Sequence, residues 1–144
     1  MMAIQKKGSA EWKGSLKKGK GVVSTESGAL KENPYGFNTR FEGQPGTNPE
    51  ELIGAAHASC FSMALSMMLG EEDLEPESIN TEATVTLDQD DSGFYVSKVH
   101  LQTVAKIPGA DQTAFDRAAK NAKEGCPISR LFNAEITLDA KLEG

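Results

Sequence analysis

A run without a charged side chain, from Leu52 to Leu69, constrains the fold of this chain more than any other feature. Asn48 just before it is a favourable helix cap, Pro49 suits the first helical position, and Glu50 brings negative charge to the end of a helix that favours it. Gly70, at the far end, is a residue type that often ends a helix. The run therefore predicts one long, apolar helix.

The same run is long enough to raise the question of a membrane span. Gly and Ala fill much of its first half, and polar residues interrupt it at His57, Ser59, Ser62 and Ser66. We therefore expect a soluble, buried helix. A helix that is apolar on all sides has to be covered on every side, which one small domain can hardly do alone, so we expect a dimer.

Alternating polar and apolar residues predict strands before the long helix. Ser9–Ser27 has the pattern of a hairpin around a turn rich in lysine and glycine. A third extended segment is predicted over Gly36–Gly43, where Arg40 stands between Phe37 and Phe41. The sequence therefore predicts three strands before the helix, with an arginine on the last of them.

After the long helix, the pattern predicts a second group of strands and one more helix. Apolar residues alternate with polar ones on both sides of the turn Asp90–Gly93, which predicts a hairpin. Asp111–Lys123 has alanines at helical spacing with Asp111 as a candidate cap, and Ala134–Leu142 alternates again as a closing strand. The predicted fold class is α+β, with no linker or repeat to divide residues 1–144 into more than one domain.

Composition excludes several classes of function. The chain has 15 basic and 21 acidic residues and a net charge of -6, so it lacks the broad positive patch that nucleic acid or anionic lipid would need. Residues 1–20 contain no continuous apolar stretch, so we expect a cytoplasmic protein. Two histidines and two widely spaced cysteines do not form a zinc-binding pattern, and we expect neither a metal nor a cofactor.

The two cysteines, Cys60 and Cys126, are the main candidates for chemistry. Each alone is explained as a small buried apolar residue. As a pair in a reducing compartment they favour a redox role, because a cysteine oxidised to sulfenic acid needs a second thiol to condense with. Cys60 lies too far into the helix for the dipole to activate it, so a reactive thiolate there needs a cation. Arg40 is the most suggestive arginine, although a surface strand residue is an alternative interpretation of it.

Two other functions fit the same residues. His57 lies three positions before Cys60 and could serve as base for an acyl-transfer nucleophile, but a third group and an oxyanion site are not evident. The simpler interpretation of His57 is a packed helix residue. The second alternative is a dimeric protein that binds an apolar ligand, with both cysteines structural.

Three segments carry a specific resemblance to a known family. They are GFNTRFEG at Gly36–Gly43, NPEELIGAAHASCFSMALS at Asn48–Ser66, and GCPIS at Gly125–Ser129. Together they resemble the OsmC and organic hydroperoxide resistance family, and the likeness extends over essentially the whole chain. The resemblance implies an OsmC-like fold, with antiparallel sheets around a long buried central helix, in an intertwined homodimer with active sites at the subunit interface.

The resemblance also implies an activity and four site residues. The activity is thiol-dependent reduction of organic hydroperoxides in stress defence, with a lipoyl-type or thioredoxin-type dithiol as reductant. Cys60 would be the peroxidatic cysteine and Cys126 its resolving partner. Arg40 and Glu50 would form the polar pair that holds the Cys60 thiolate. Candidate walls of the substrate pocket are Phe37, Phe41, Phe61 and Met67.

Helix geometry adds a constraint on that site. Ten residues separate Glu50 from Cys60, so the two lie about 15 Å apart along one helix and cannot share a site within one chain. An isologous dimer whose long helices pack antiparallel would bring Glu50 of one subunit to the partner's Cys60. We therefore expect a composite site at a two-fold interface.

Overall fold

The computed structural model describes residues 3–144, and the chain divides into two compact units. The first unit ends at Leu52 and the second begins at Ile53, so the boundary falls within the long helix. Each unit contains a three-stranded sheet. Helices and sheets in this mixture confirm the α+β class, while a single domain over residues 1–144 stays a prediction.

The first unit is built on an antiparallel sheet with the strand order β1-β2-β3. β1 spans Gly8–Lys13, β2 spans Lys20–Thr25 and β3 spans Asn33–Tyr35. β1 and β2 pair along their whole lengths, which confirms the predicted hairpin. The third strand is shorter and lies earlier than the sequence pattern indicates.

One glycine in the middle of this sheet is required by its neighbours. Gly21 pairs with Trp12 on one side and Tyr35 on the other. A Cβ atom at Gly21 would lie 2.6 Å from both aromatic rings, which is far inside van der Waals contact. The two rings, with centroids 5.5 Å apart, therefore close over a position that only glycine can occupy.

The prediction of an extended segment over Gly36–Gly43 is wrong, because Phe37–Phe41 forms a short helix, α1. Thr39 Oγ1 accepts a hydrogen bond from the Gly36 backbone N–H and donates one to the Gly36 carbonyl, each at 3.0 Å, which fixes the first turn. The rings of Phe37 and Phe41 pack with centroids 4.9 Å apart. A spacing of four residues places two side chains on one face of either a strand or a helix, so the pattern alone did not distinguish them.

The long helix, α2, spans Pro49–Gly70 and confirms the main prediction from the sequence. Asn48 Oδ1 accepts a hydrogen bond of 2.9 Å from the Glu51 backbone N–H, as expected of a helix cap. Asn48 Nδ2 also donates to the Thr39 carbonyl at 3.2 Å. Asn48 therefore ties the start of α2 to α1.

Within one chain, α2 buries one face and exposes the other. The buried residues recur at helical spacing and are Gly54, His57, Phe61, Ala64, Leu65 and Leu69. The exposed face carries small residues and two methionines, with Met63 76% and Met67 60% exposed. By length and composition α2 could cross a membrane, but its largest buried apolar side chains, Phe61, Leu65 and Leu69, belong to the core of the second unit, as expected of a core helix.

The second unit contains a mixed sheet with the strand order β4-β5-β6. β4 (Ser78–Asp90) and β5 (Gly93–Lys106) form the predicted antiparallel hairpin. β6 (Glu135–Glu143) pairs with β5 in parallel, so the sheet is not purely antiparallel as expected. The reason is the connection from β5 to β6, which contains two helices and returns the chain to the same end of the sheet.

The two helices of that connection meet at a cysteine. α3 spans Gln112–Gly125, and Asp111 caps it by accepting a hydrogen bond of 2.7 Å from the Ala114 backbone N–H, as predicted. A second helix, α4, spans Pro127–Leu131 and was not predicted. Cys126 lies between them, at the end of α3 and the start of α4.

The core of the second unit joins α2, α3 and the mixed sheet. Its largest fully buried apolar side chains come from all three, and they are Phe61, Leu65, Leu69, Leu101, Ile107 and Phe115. Cys126 is 1% exposed and belongs to the same cluster, and Cys60 packs against it. The core therefore fixes the positions of both cysteines.

We expect Asn48→Ala to lower the free energy of unfolding by about 1–2 kcal/mol, because it removes both the cap of α2 and the link to α1. Asn48→Asp keeps the capping oxygen but loses the donor to Thr39, so it should cost less. Trp12, the only tryptophan in the chain, lies in the same unit and reports unfolding in denaturant by its fluorescence. Equal losses in the two variants would contradict this account of the cap.

Candidate active site

Two free thiols from distant parts of the sequence are neighbours in the second unit. Cys60 is partly exposed and lies in the middle of α2, whereas Cys126 is buried at the junction of α3 and α4. Gly125 ends α3, and Pro127 occupies the first position of α4, so the chain turns sharply at Cys126. The fold therefore brings together the two cysteines that the sequence singles out.

The environment of Cys60 opposes its ionisation. Burial is the largest influence and raises the pKa of the Cys60 thiol. A hydrogen bond with the Ile128 backbone lowers the pKa, while the Cys126 side chain raises it through a hydrogen bond and through charge. The net pKa is raised, so Cys60 needs a further positive charge to be a reactive thiolate near neutral pH.

The side chain of Cys126 takes part in a small polar cluster. Its Sγ atom accepts a hydrogen bond from the Ser129 backbone N–H at 3.4 Å and donates one to Ser129 Oγ at 3.1 Å. Ser129 Oγ in turn lies 2.7 Å from His57 Nε2. We call these three residues the Cys126–Ser129–His57 cluster.

His57 is fully buried, which agrees with its interpretation as a packed helix residue. Burial lowers the pKa of its imidazole and keeps the ring neutral. Its Nε2 atom faces Ser129, and its Nδ1 atom has no hydrogen-bond partner among residues 3–144. The acyl-transfer interpretation, which needs a hydrogen bond between His57 and Cys60, has no support in this geometry.

Ser129 is the polar neighbour of Cys126 that the sequence analysis missed. Pro127 directly after Cys126 is a signal for a helix start, and it could have placed Ser129 at the third helical position, where a side chain meets the cap. The hydrogen bond to His57 could not have been found this way, because the two residues lie on different helices far apart in sequence.

The other two predicted residues form an ion pair in the first unit. Arg40 Nε donates a hydrogen bond to Glu50 Oε1, and Arg40 Nη2 donates one to Glu50 Oε2, each at 2.9 Å. The Glu50 side chain is 14% exposed and that of Arg40 is 35% exposed. A bidentate pair of this kind holds the guanidinium in one orientation.

A pocket of about 240 Å³ lies beside this ion pair in the first unit. Arg40 lines it together with apolar side chains, which are Trp12, Leu16, Phe37 and Phe41. Phe37 and Phe41 thus line a pocket, while their role as walls of a substrate site stays a prediction. Phe61 is instead fully buried in the core, and Met67 stands on the exposed face of α2.

The four predicted site residues thus form two pairs, Arg40 with Glu50 in the first unit and Cys60 with Cys126 in the second. α2 is unbroken from Pro49 to Gly70, so the separation of Glu50 and Cys60 along the helix, about 15 Å, remains as expected. One pair is a guanidinium held by a carboxylate, and the other is two thiols.

Comparison with known proteins shows that this chain is similar to members of one protein family. The family model described as OsmC-like protein matches residues 41–141. Peroxiredoxin OsmC of Escherichia coli is 59% identical over 142 residues, which is 99% of each chain. The organic hydroperoxide resistance protein OhrB of Bacillus subtilis is 32% identical over 124 residues, covering 85% of this chain and 88% of its own.

Solved structures agree with these similarities in sequence. The crystal structure of OhrB from Bacillus subtilis matches with a TM-score of 0.67 and 26% identity, and the match covers 95% of this chain and 98% of OhrB. An OsmC-like protein of unknown function from Vibrio cholerae matches with a TM-score of 0.77 at 17% identity, covering 96% of this chain and 99% of its own, which shows the fold alone.

We expect Cys126→Ser to lower the pKa of Cys60, because the substitution removes a neighbour that raises that pKa through its hydrogen bond and its charge. At a fixed neutral pH, Cys60 should therefore be alkylated faster in this variant. The measurement is the pH dependence of iodoacetamide alkylation, followed by mass spectrometry, with Cys60→Ser as the control for reaction at other sites. An unchanged or higher pKa would contradict the influence assigned to Cys126.

Proposed function

The chain belongs to the OsmC-like protein family, and from that membership we propose that it is a peroxidase that uses thiols to reduce organic hydroperoxides to alcohols. The observation that carries the proposal is that two free cysteines, Cys60 and Cys126, are neighbours in the structure. Cys126 is also hydrogen-bonded to Ser129. The names of the relatives, peroxiredoxin and organic hydroperoxide resistance protein, agree with this class of chemistry.

The proposed cycle begins with the Cys60 thiolate. Its sulfur attacks the outer oxygen of the hydroperoxide, the O–O bond breaks, and the leaving alkoxide takes a proton and departs as an alcohol. Cys60 is now a sulfenic acid, and the Cys126 sulfur attacks it to form a disulfide and release water. An external dithiol, of the lipoyl or thioredoxin type, then reduces this disulfide by thiol–disulfide exchange. The dithiol becomes a disulfide, and both cysteines return to the thiol state.

Arg40 is the proposed source of the positive charge that Cys60 needs. A guanidinium held by Glu50 keeps its charge at every physiological pH and can donate hydrogen bonds to a thiolate. The separation of Glu50 from Cys60 along α2 argues for two subunits, with the Arg40–Glu50 pair of one acting on the partner's Cys60. The exposed face of α2 supports a homodimer, because it carries the apolar side chains of Met63 and Met67, which no part of residues 3–144 covers.

The substrate is proposed to be an alkyl or lipid hydroperoxide rather than hydrogen peroxide. The pocket beside Arg40 is walled by aromatic and aliphatic side chains, which favour an apolar tail, while the guanidinium suits the polar peroxide group. Reduction of such peroxides accords with a role in oxidative and osmotic stress defence. A cytoplasmic location remains a prediction, and it would supply the dithiol reductant that the cycle needs.

We expect the protein to consume cumene hydroperoxide with dihydrolipoamide as reductant, and Cys60→Ser to abolish this turnover. In the absence of reductant, Cys126→Ser should still react with peroxide at Cys60 but form no disulfide, so that Cys60 accumulates as sulfenic acid and then as sulfinic acid. Consumption is followed by a colorimetric peroxide assay, with the protein-free mixture as control. Wild-type protein that consumes nothing with lipoyl or thioredoxin dithiols would favour the alternative of a non-catalytic dimer that binds an apolar ligand.

The composite site is tested with mixed dimers. Cys60→Ser and Glu50→Ala chains should each be inactive or weak alone, yet their mixed dimer should regain up to about half of the wild-type activity per dimer, because one of its two sites is intact. A mixed dimer of Arg40→Ala and Glu50→Ala is the matched control, since each of its sites keeps one defect. Peroxidase activity of tagged, purified mixed dimers gives the answer, and failure of the first mixture to recover would place Arg40, Glu50 and Cys60 of one chain in the same site.

A further inference from the structure

The Cys126–Ser129–His57 cluster has a feature that the peroxide-reducing step does not use. Three buried side chains are joined by hydrogen bonds, one from α2, one from α4 and one from the junction of α3 and α4, with His57 0%, Ser129 6% and Cys126 1% exposed. His57 Nδ1 is a buried polar atom without a hydrogen-bond partner among residues 3–144, and leaving such an atom unpaired destabilises the folded state. A cluster of this kind calls for an explanation beyond packing.

The hydrogen bonds of the cluster run in one direction. The Cys126 thiol donates to Ser129 Oγ, and a hydroxyl has only one proton of its own to give. His57 Nε2 lies 2.7 Å from that hydroxyl and can accept its proton when the ring carries its own proton on Nδ1. The neutral imidazole is also the form that burial favours. The cluster therefore forms a path from a thiol to a neutral base.

Cys126 needs such a base because of where it lies. An attacking thiol has to lose its proton, and Cys126 is 1% exposed, so bulk water cannot reach its sulfur to remove it. The Ser129 backbone N–H already points at the Cys126 sulfur and would stabilise the thiolate once it forms. The Cys126 thiol donates a hydrogen bond to Ser129 Oγ at 3.1 Å, so this hydroxyl is placed to take the thiol proton.

We propose that Ser129 and His57 act as a proton relay that activates Cys126 for attack on the Cys60 sulfenic acid. This inference rests on the two-cysteine cycle proposed above and assigns its second step. Ser129 is a catalytic residue, because it touches a reacting sulfur. His57 is a positioning and proton-accepting residue, because it acts through Ser129.

The step balances in atoms and protons. The Cys126 proton moves to Ser129 Oγ while the Ser129 proton moves to His57 Nε2. The Cys126 sulfur forms a bond to the Cys60 sulfur, the S–O bond of the sulfenic acid breaks, and hydroxide leaves. The hydroxide takes up one proton to become water, and His57 releases one proton to return to its neutral form. Cys60 and Cys126 end as a disulfide, with no further oxidant or reductant needed.

The test separates the two steps of the cycle in single turnovers without reductant. Reduced protein is mixed with cumene hydroperoxide, and mass spectrometry follows disulfide, dimedone-trapped sulfenic acid and sulfinic acid at Cys60. In Ser129→Ala we expect the peroxide to be consumed at the wild-type rate but the disulfide to form about tenfold more slowly or worse. Excess peroxide should then convert more of Cys60 to sulfinic acid.

Three further variants show whether the effect is chemical. Ser129→Thr keeps the hydroxyl and should restore much of the disulfide rate. His57→Gln can still accept a hydrogen bond but is not a base, so it should slow the disulfide step without slowing peroxide consumption. Ser62→Ala is the matched control, because it removes a serine hydroxyl outside the cluster. Ser62 lies on α2 and its Oγ atom is 2.7 Å from Thr81 Oγ1, so this variant should behave as wild type.

The possible outcomes test the two-cysteine cycle and the proton relay separately. Disulfide formation at the wild-type rate in Ser129→Ala, or equal slowing in Ser62→Ala at matched thermal stability, would overturn the relay and leave the cycle in place. Wild-type protein that consumes peroxide without ever joining Cys60 to Cys126 would overturn the proposed cycle and the relay with it. Selective slowing in Ser129→Ala and His57→Gln, with recovery in Ser129→Thr, supports the relay.

Discussion

The packing of one face of α2 is the interaction on which the rest of the structure depends. Phe61, Leu65 and Leu69 are fully buried against the mixed sheet and α3, and burial of three such side chains contributes about 5–9 kcal/mol. This packing holds the Cys60 turn of the helix against the junction that carries Cys126. Without it the two thiols would be ordinary residues in unrelated parts of the chain.

The same burial creates a conflict between stability and reactivity at Cys60. The apolar environment that stabilises α2 also raises the pKa of the Cys60 thiol, and the neighbouring Cys126 raises that pKa further. A hydrogen bond with the Ile128 backbone offsets only part of this. The reactive state therefore needs a fixed positive charge, and we propose that the Arg40–Glu50 pair supplies it, because its bidentate geometry holds the guanidinium in place.

The position of Cys126 is set by the end of α3 and the start of α4. The α3–α4 corner leaves its side chain as the cap of α4, so its sulfur meets the Ser129 backbone N–H and hydroxyl. A serine or aspartate would be a stronger cap. The proposed redox role would explain a cysteine at this position, which lies beside Cys60.

Much of the fold was predictable from local patterns in the sequence. The charge-free run with Asn48 and Pro49 specified α2, the alternation on both sides of Asp90–Gly93 specified a hairpin, and Asp111 marked the start of α3. The α1 segment was misjudged, because the spacing of Phe37 and Phe41 fits a strand and a helix equally well. The hydrogen bonds of Thr39 with Gly36, which favour the helix, are not visible in that spacing.

The sequence by itself determined which residues could do chemistry, since only two cysteines and three arginines were present and the family motifs singled out Cys60, Cys126, Arg40 and Glu50. The tertiary structure decided which of them meet. It paired Arg40 with Glu50, brought the two thiols together, and joined Cys126 to His57 through Ser129. These contacts depend on packing between elements far apart in the chain, and helix and strand periodicity reports only which side of each element is apolar, not which element will cover it.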